Sequence, residues 1–211
     1  MDAPRYIKSS DFKKIVTKEI APYLRKLGWK GSGYDYTRTK FNIGNSIKFQ
    51  GSSGGEKFCI NLLVHFVFEP LEYGKLIQEL NKWNFNTRLM KHKHVGDEWW
   101  NYPVKGSNYD ELIQDVKDAF NSNLELFFDK YENWEDKILG TTVDRLKAGE
   151  LKEILLGTDM TQALICSVFN LNNGKKQAAI DFAQFGETCI EGVVGSGRKG
   201  VIDEIIKEAS S

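Results

Sequence analysis

His92 and His94 stand two positions apart, and Asp97 and Glu98 follow within the same short run. Alternate positions on a strand share a face, so this spacing suits two nitrogen ligands on one metal ion, with Asp97 or Glu98 as a third. Lys91 and Lys93 interleave the pair, and neighbouring ammonium groups oppose a bound cation. We therefore read a solvated basic loop and assign no metal. If the chain were a small hydrolase-like enzyme, its proton-transfer groups would be His65, or His92 and His94 with Asp97. Ser52 and Ser53 are distant hydroxyls with nothing in the sequence to order them against His65. No nucleophile elbow, zinc-protease helix or phosphate loop occurs, so no catalytic residue is assigned.

The run Gly195-Ser196-Gly197-Arg198-Lys199-Gly200 matches the dinucleotide-binding fingerprint letter by letter. That fingerprint works only inside a strand–turn–helix–strand unit, with an acidic residue about 20 positions further on for the ribose. The sequence closes at Ser211 before such a strand, so a glycine turn between helices is the reading taken and no cofactor is expected. Arg198, Lys199 and the amides at a helix start remain a weaker anion-binding idea.

Asp97-Glu98-Trp99-Trp100 sets two carboxylates beside two large rings, a composition suited to an interaction surface. The alternative is that one or both tryptophans cover a sheet. A second polar set alternates with apolar residues in the strand-like runs: Lys48, Gln50, Lys57 and either Asn61 or His65. Alternation sends them to one face. Tyr34, Tyr36 and Arg38 join them if the preceding strand pairs alongside. The binding residues expected are thus Tyr36, Arg38, Lys48, Gln50, Lys57, Asp97, Trp99 and Trp100. Tyr34, Tyr36, Arg38 and Lys40 also make a single-stranded nucleic-acid strip conceivable, with rings for bases and cations for phosphates.

The elements that must position these groups follow from periodicity. Ser10 is read as the cap of a first helix whose apolar positions are Phe12, Ile15, Ile20, Leu24 and Leu27. Pro22 should kink or restart it, and Gly28 should end it. Strands are expected at 34–38, 46–50 and 57–68, the last two forming a hairpin around Gly51-Ser52-Ser53-Gly54-Gly55. Residues 57–68 turn nearly continuously apolar, which marks a central strand covered in part on both faces. A helix opens at Glu69-Pro70, residues 83–95 are ambiguous, and 97–102 read as a further strand closed by Pro103. From Tyr109 to Tyr131 a long amphipathic helix carries Leu112, Val116, Phe120, Leu124, Phe127 and Phe128 on its buried stripe.

After Tyr131 strand patterns stop and helical patterns with glycine breaks take over. Residues 161–171 and 175–185 read as a helical hairpin with small residues at Ala163, Ala178, Ala179 and Ala183. The expectation is an α+β fold: a curved antiparallel sheet packed with helices over residues 1–133, then a helical extension over 134–211.

Hydrophobic residues make up 41% of 211, which supports a packed core. Lys and Arg number 29, as do Asp and Glu, so no global positive field favours nucleic acid. Cys59, Cys166 and Cys189 are widely spaced and lie in apolar runs, as free thiols of a reduced cytoplasm would. The first residues lack the apolar core of a secretory signal, and no run is long enough to span a bilayer.

The pieces SSDFKKIV, APYLRKLGWKGSGYDYTR, SIKFQGSSGGEKFCINLLV, GDEWWNY and YDELIQDV, in this order, resemble a bacterial family catalogued only as a domain of unknown function. The resemblance covers residues 9 to about 131. It implies a helix, a curved antiparallel sheet and further helices, and it brings no catalytic residue. The functional expectation is a non-enzymatic bacterial interaction protein that binds another protein, with an immunity-type role as one form.

Overall fold

The computed structural model describes residues 5–66, 85–90, 99–190 and 198–211. The expected helix at 69–82, the residues His92, His94, Asp97 and Glu98, and the glycines Gly195 and Gly197 lie outside them. The chain divides into two compact units. One comprises Met1–Val64 and Asn86–Asp129; the other comprises His65–Phe85 and Lys130–Ser211.

The first unit opens with α1 (Ser9–Ile15), a π-helical turn (Val16–Ile20) and α2 (Ala21–Lys26). Pro22 lies at the first positions of α2, and the amide of Ala21 reaches back five residues to the Val16 carbonyl. A proline ring collides with the carbonyl four residues earlier in a regular helix; the wider turn accommodates it and lets the helix restart. Lys8, not Ser10, occupies the N-cap, and no side chain caps this end. Ser10 falls inside the first turn because the helix already begins at Ser9. Gly28, at φ +84°, ends the segment in the left-handed conformation.

The sheet contains β1 (Lys30–Ser32), β2 (Asp35–Lys40), β3 (Ile43–Gly51), β4 (Lys57–Phe66), β5 (Phe85–Arg88) and β6 (Trp100–Asn101). Strands β1 to β5 neighbour each other in sequence order, and β6 pairs with β4. β1, β2 and β3 run antiparallel with Gly31 opposite Tyr36 and Tyr36 opposite Ile47; β6 is antiparallel to β4 with Trp100 opposite Phe58. Strand β1 carries no apolar alternation and was not anticipated. Its Gly31 sits at φ +141°, and a Cβ there would meet the Asp35 carbonyl oxygen, so glycine is what lets the two backbones close up. Strand β5 falls in the ambiguous stretch of the sequence.

One face of this sheet is the core. Tyr36, Ile47, Phe49, Phe58, Ile60, Leu62 and Val64 are buried. Phe12 of α1 lies 4.5 Å from Phe58 and 5.1 Å from Tyr102, ring centre to ring centre. Helix α3 (Asp110–Asp129) covers the same face, with Phe120 6.4 Å from Phe49. Its buried stripe is Ile113, Val116, Ala119, Phe120, Leu124 and Phe128. Leu112 and Phe127, read as inward from the sequence, are only half-buried, because the stripe is centred one position later. Cys59 and Leu63, on the other face of β4, are buried too. That strand is therefore covered on both sides along part of its length, as its apolar run implies.

The second unit is built around α6 (Asp159–Asn172), which is buried continuously from Met160 to Asn170. Around it pack α4 (Trp134–Leu139), α5 (Val143–Lys147), α7 (Lys176–Thr188) and α8 (Arg198–Ser210). Ala163, Ala179 and Ala183 are fully buried, and a Cβ at Gly186 would lie 3.5 Å from that of Ala163, so small residues let α6 and α7 approach closely. Two polar side chains inside this core bond to backbone: Ser167 Oγ donates to the Ala179 carbonyl at 2.6 Å and Asn170 Nδ2 to the Cys166 carbonyl at 2.8 Å. No strand follows Tyr131 among the described residues. No helix among them is long and apolar enough to cross a membrane.

Candidate binding surface

The register of β2 against β3 sorts the expected site residues onto opposite faces. Asp35 opposes Lys48, and Arg38 opposes Asn45. Lys48 and Gln50 thus project from the face opposite the core, with Lys57 on the matching parity of β4. All three are exposed. The loop joining β3 to β4 holds them in register. The Ser52 amide donates to the Lys57 carbonyl at 2.8 Å, and the Ser52 hydroxyl accepts the Lys57 amide at 3.2 Å. Across the strands Asn61 Nδ2 donates to Gln50 Oε1 at 2.8 Å, and Lys48 Nζ lies 3.9 Å from Asp35 Oδ1. Around Lys48, Gln50 and Lys57 this face is polar and of mixed charge, bridged by the Asn61–Gln50 amide pair; at Cys59 and Leu63 the same face of β4 is covered.

Tyr36, Arg38 and Trp100 do not belong to it. Tyr36 is fully buried, and burial raises its phenol above its ordinary acidity range. The Arg38 guanidinium lies 4.4 Å from the Trp29 ring centre and 5.4 Å from that of Phe128. Its two terminal nitrogens meet the two carboxylate oxygens of Glu125 at 2.8 and 3.0 Å. Lys40 adds contacts of 2.9 Å to Glu125 and 2.6 Å to Asp129. Burial pushes the Glu125 carboxyl up, but the hydrogen bonds and charges of Arg38 and Lys40 outweigh it and hold it below the usual value. Burial pulls Lys40 down, and its two carboxylate partners more than reverse that. These charges fasten β2 to α3. With Tyr36 inside and both cations paired, the strip imagined for single-stranded nucleic acid does not face outward.

Trp100 is buried, stacked 5.7 Å from Phe58, and its Nε1 donates to Asp115 Oδ2 at 2.9 Å. It covers the sheet and is not part of an accessible surface. Trp99 is half-buried, with the Arg88 guanidinium 4.7 Å from its ring centre. Tyr34 is half-buried with its hydroxyl donating to the Ser9 carbonyl; burial foremost pushes that phenol to about 12. His65 is half-buried in β4. From the glycine-rich motif, Lys199 is described, and its ammonium is shared between Glu187 at 2.5 Å and Asp203 at 3.4 Å. That cation thereby links α7 to α8.

Asp35 and Asn61 are the members of the outer face that sequence reasoning underweighted. The signal for Asp35 was parity with Lys48, which becomes usable only once the turn at Phe41-Asn42 fixes the register.

Neither a curated protein nor a solved structure matches this chain. A family model does, over residues 20–130, which takes in α2, the described strands and α3 and starts later than the motif resemblance suggested. On that match the chain belongs to the family described as domain of unknown function DUF4304.

Proposed function

We propose that this chain is a non-enzymatic interaction protein of bacterial type that binds another protein through the outer face of β2–β3–β4. The observation that carries the reading is the patch of Lys48, Gln50 and Lys57, exposed, with Gln50 held by its hydrogen bond from Asn61 and Lys48 opposite Asp35. Side chains held before binding lose less entropy on binding, and a mixed-charge face selects a partner by complementarity. An immunity-type role, occluding a toxin encoded beside it, is the specific form we favour; it rests on fold-level analogy. A cytoplasmic location fits the three free cysteines Cys59, Cys166 and Cys189.

The test is co-expression with the products of adjoining genes. The native chain should co-purify with one of them and suppress its toxicity. The Lys48→Glu/Lys57→Glu double variant should weaken that complex at least about tenfold with an unchanged circular dichroism spectrum. A chain that stays alone and protects against nothing encoded next to it ends the immunity form. A complex indifferent to the double variant removes this face from the proposal.

A further inference from the structure

The second unit contains a pocket of about 290 Å³ between α4, α5 and the turns that follow α5. Both signs of charge line it, Lys137 of α4 and Arg145 of α5 with Glu150 and Glu153 of the following turns, beside Thr141 and the buried apolar Leu151 and Ile154. Arg145 is tied down on both sides. Its Nη1 donates to the Gly140 carbonyl at 2.7 Å, and its Nε and Nη2 each lie 2.6 Å from Glu150 Oε2. That spends the Arg145 and Glu150 charges on each other. Lys137 and Glu153 keep no ion-pair partner among the described residues; the Lys137 ammonium donates only to the Lys130 carbonyl, at 3.2 Å. Thr141 is 91% buried and its hydroxyl has no hydrogen-bond partner among the described residues, a cost that a bound acceptor would relieve.

We propose that this pocket binds a small zwitterion of the α-amino-acid class. The carboxylate takes the Lys137 ammonium and the Thr141 hydroxyl. The ligand ammonium faces Glu153, and its apolar part rests on Leu151 and Ile154. A simple anion would leave Glu153 as a repulsive neighbour, and a simple cation would do the same with Lys137. The volume holds roughly ten water-sized groups, room enough for a small amino acid.

The experiment is an amide-resolved NMR titration of the full chain with L-alanine, N-acetylalanine and alanine methyl ester. L-alanine should give saturable shifts confined to residues around Thr141, Arg145 and Ile154. Removing either ligand charge should weaken binding about tenfold or more, as should Lys137→Met and Glu153→Gln, whose side chains are exposed and whose loss leaves the core intact. Equal binding of N-acetylalanine would make this an anion site and overturn the assignment. Absence of saturable shifts with L-alanine at about 10 mM would do the same.

Discussion

Arg38 of β2 and Glu125 of α3 meet with Nη1 2.8 Å from Oε1, while the same guanidinium packs against the rings of Trp29 and Phe128, 4.4 and 5.4 Å from their centres. The pair joins residues 87 positions apart in the chain and locks the long helix to the sheet. Arginine suits this position because its flat cation can stack and pair at once.

Replacing Arg38 by alanine removes the cation packed on Trp29 and leaves Glu125 with Lys40 as its remaining cationic partner. Urea unfolding should register a loss of about 2–3 kcal/mol. Arg38→Lys should recover less than half of it, since an ammonium can neither stack flat on the Trp29 ring nor pair Glu125 through two nitrogens. A variant within about 0.5 kcal/mol of the native chain would show that this contact contributes little.

Acid should release the same contact. Glu125 is held below the usual carboxylate value in the folded chain, so its contribution is complete above the unfolded value of 4.5 and falls away as pH drops through the lower folded one. Stability measured from pH 6 to pH 3 should therefore decline more steeply in the native chain than in Glu125→Gln. Parallel curves would remove Glu125 from the acid response.

Tyr34 gives the opposite sign at high pH. Its folded phenol titrates near 12 against an ordinary 10, so its contribution is intact below 10 and is lost as pH climbs towards 12. Absorbance near 295 nm should show one tyrosine fewer ionising late in Tyr34→Phe than in the native chain. An unchanged late phase would assign that shift elsewhere.

The turn between β2 and β3 uses Phe41 at φ +56° and Asn42 at φ +57°. Both central residues of this two-residue hairpin are left-handed, a conformation that favours Asn followed by Gly and disfavours a phenylalanine. Asn42→Gly should relieve the left-handed strain and raise the urea midpoint while leaving the register intact. A loss of stability would mean that the Asn42 side chain supports the turn.

The family resemblance, the α+β class and the two-sided cover of β4 were legible in the sequence because each rests on local periodicity. Alternation marked Phe58, Ile60, Leu62 and Val64 as one face, and the unbroken apolar run predicted that Leu63 would be covered as well. The break before Pro22 was equally local, since a proline disturbs the turn that precedes it. Tertiary structure decided which way each strand faces. Tyr36 and Arg38 share a parity that could have pointed to water, and the Phe41-Asn42 turn pairs them with Ile47 and Asn45 on the core side. A one-residue change of register would have exchanged the two faces, and nothing in the strand's own residues prevents it. The three-residue strand β1, the Arg38–Glu125 contact and the pocket beneath Arg145 likewise depend on partners distant in sequence or on the path of short turns, where no periodic pattern exists to be read.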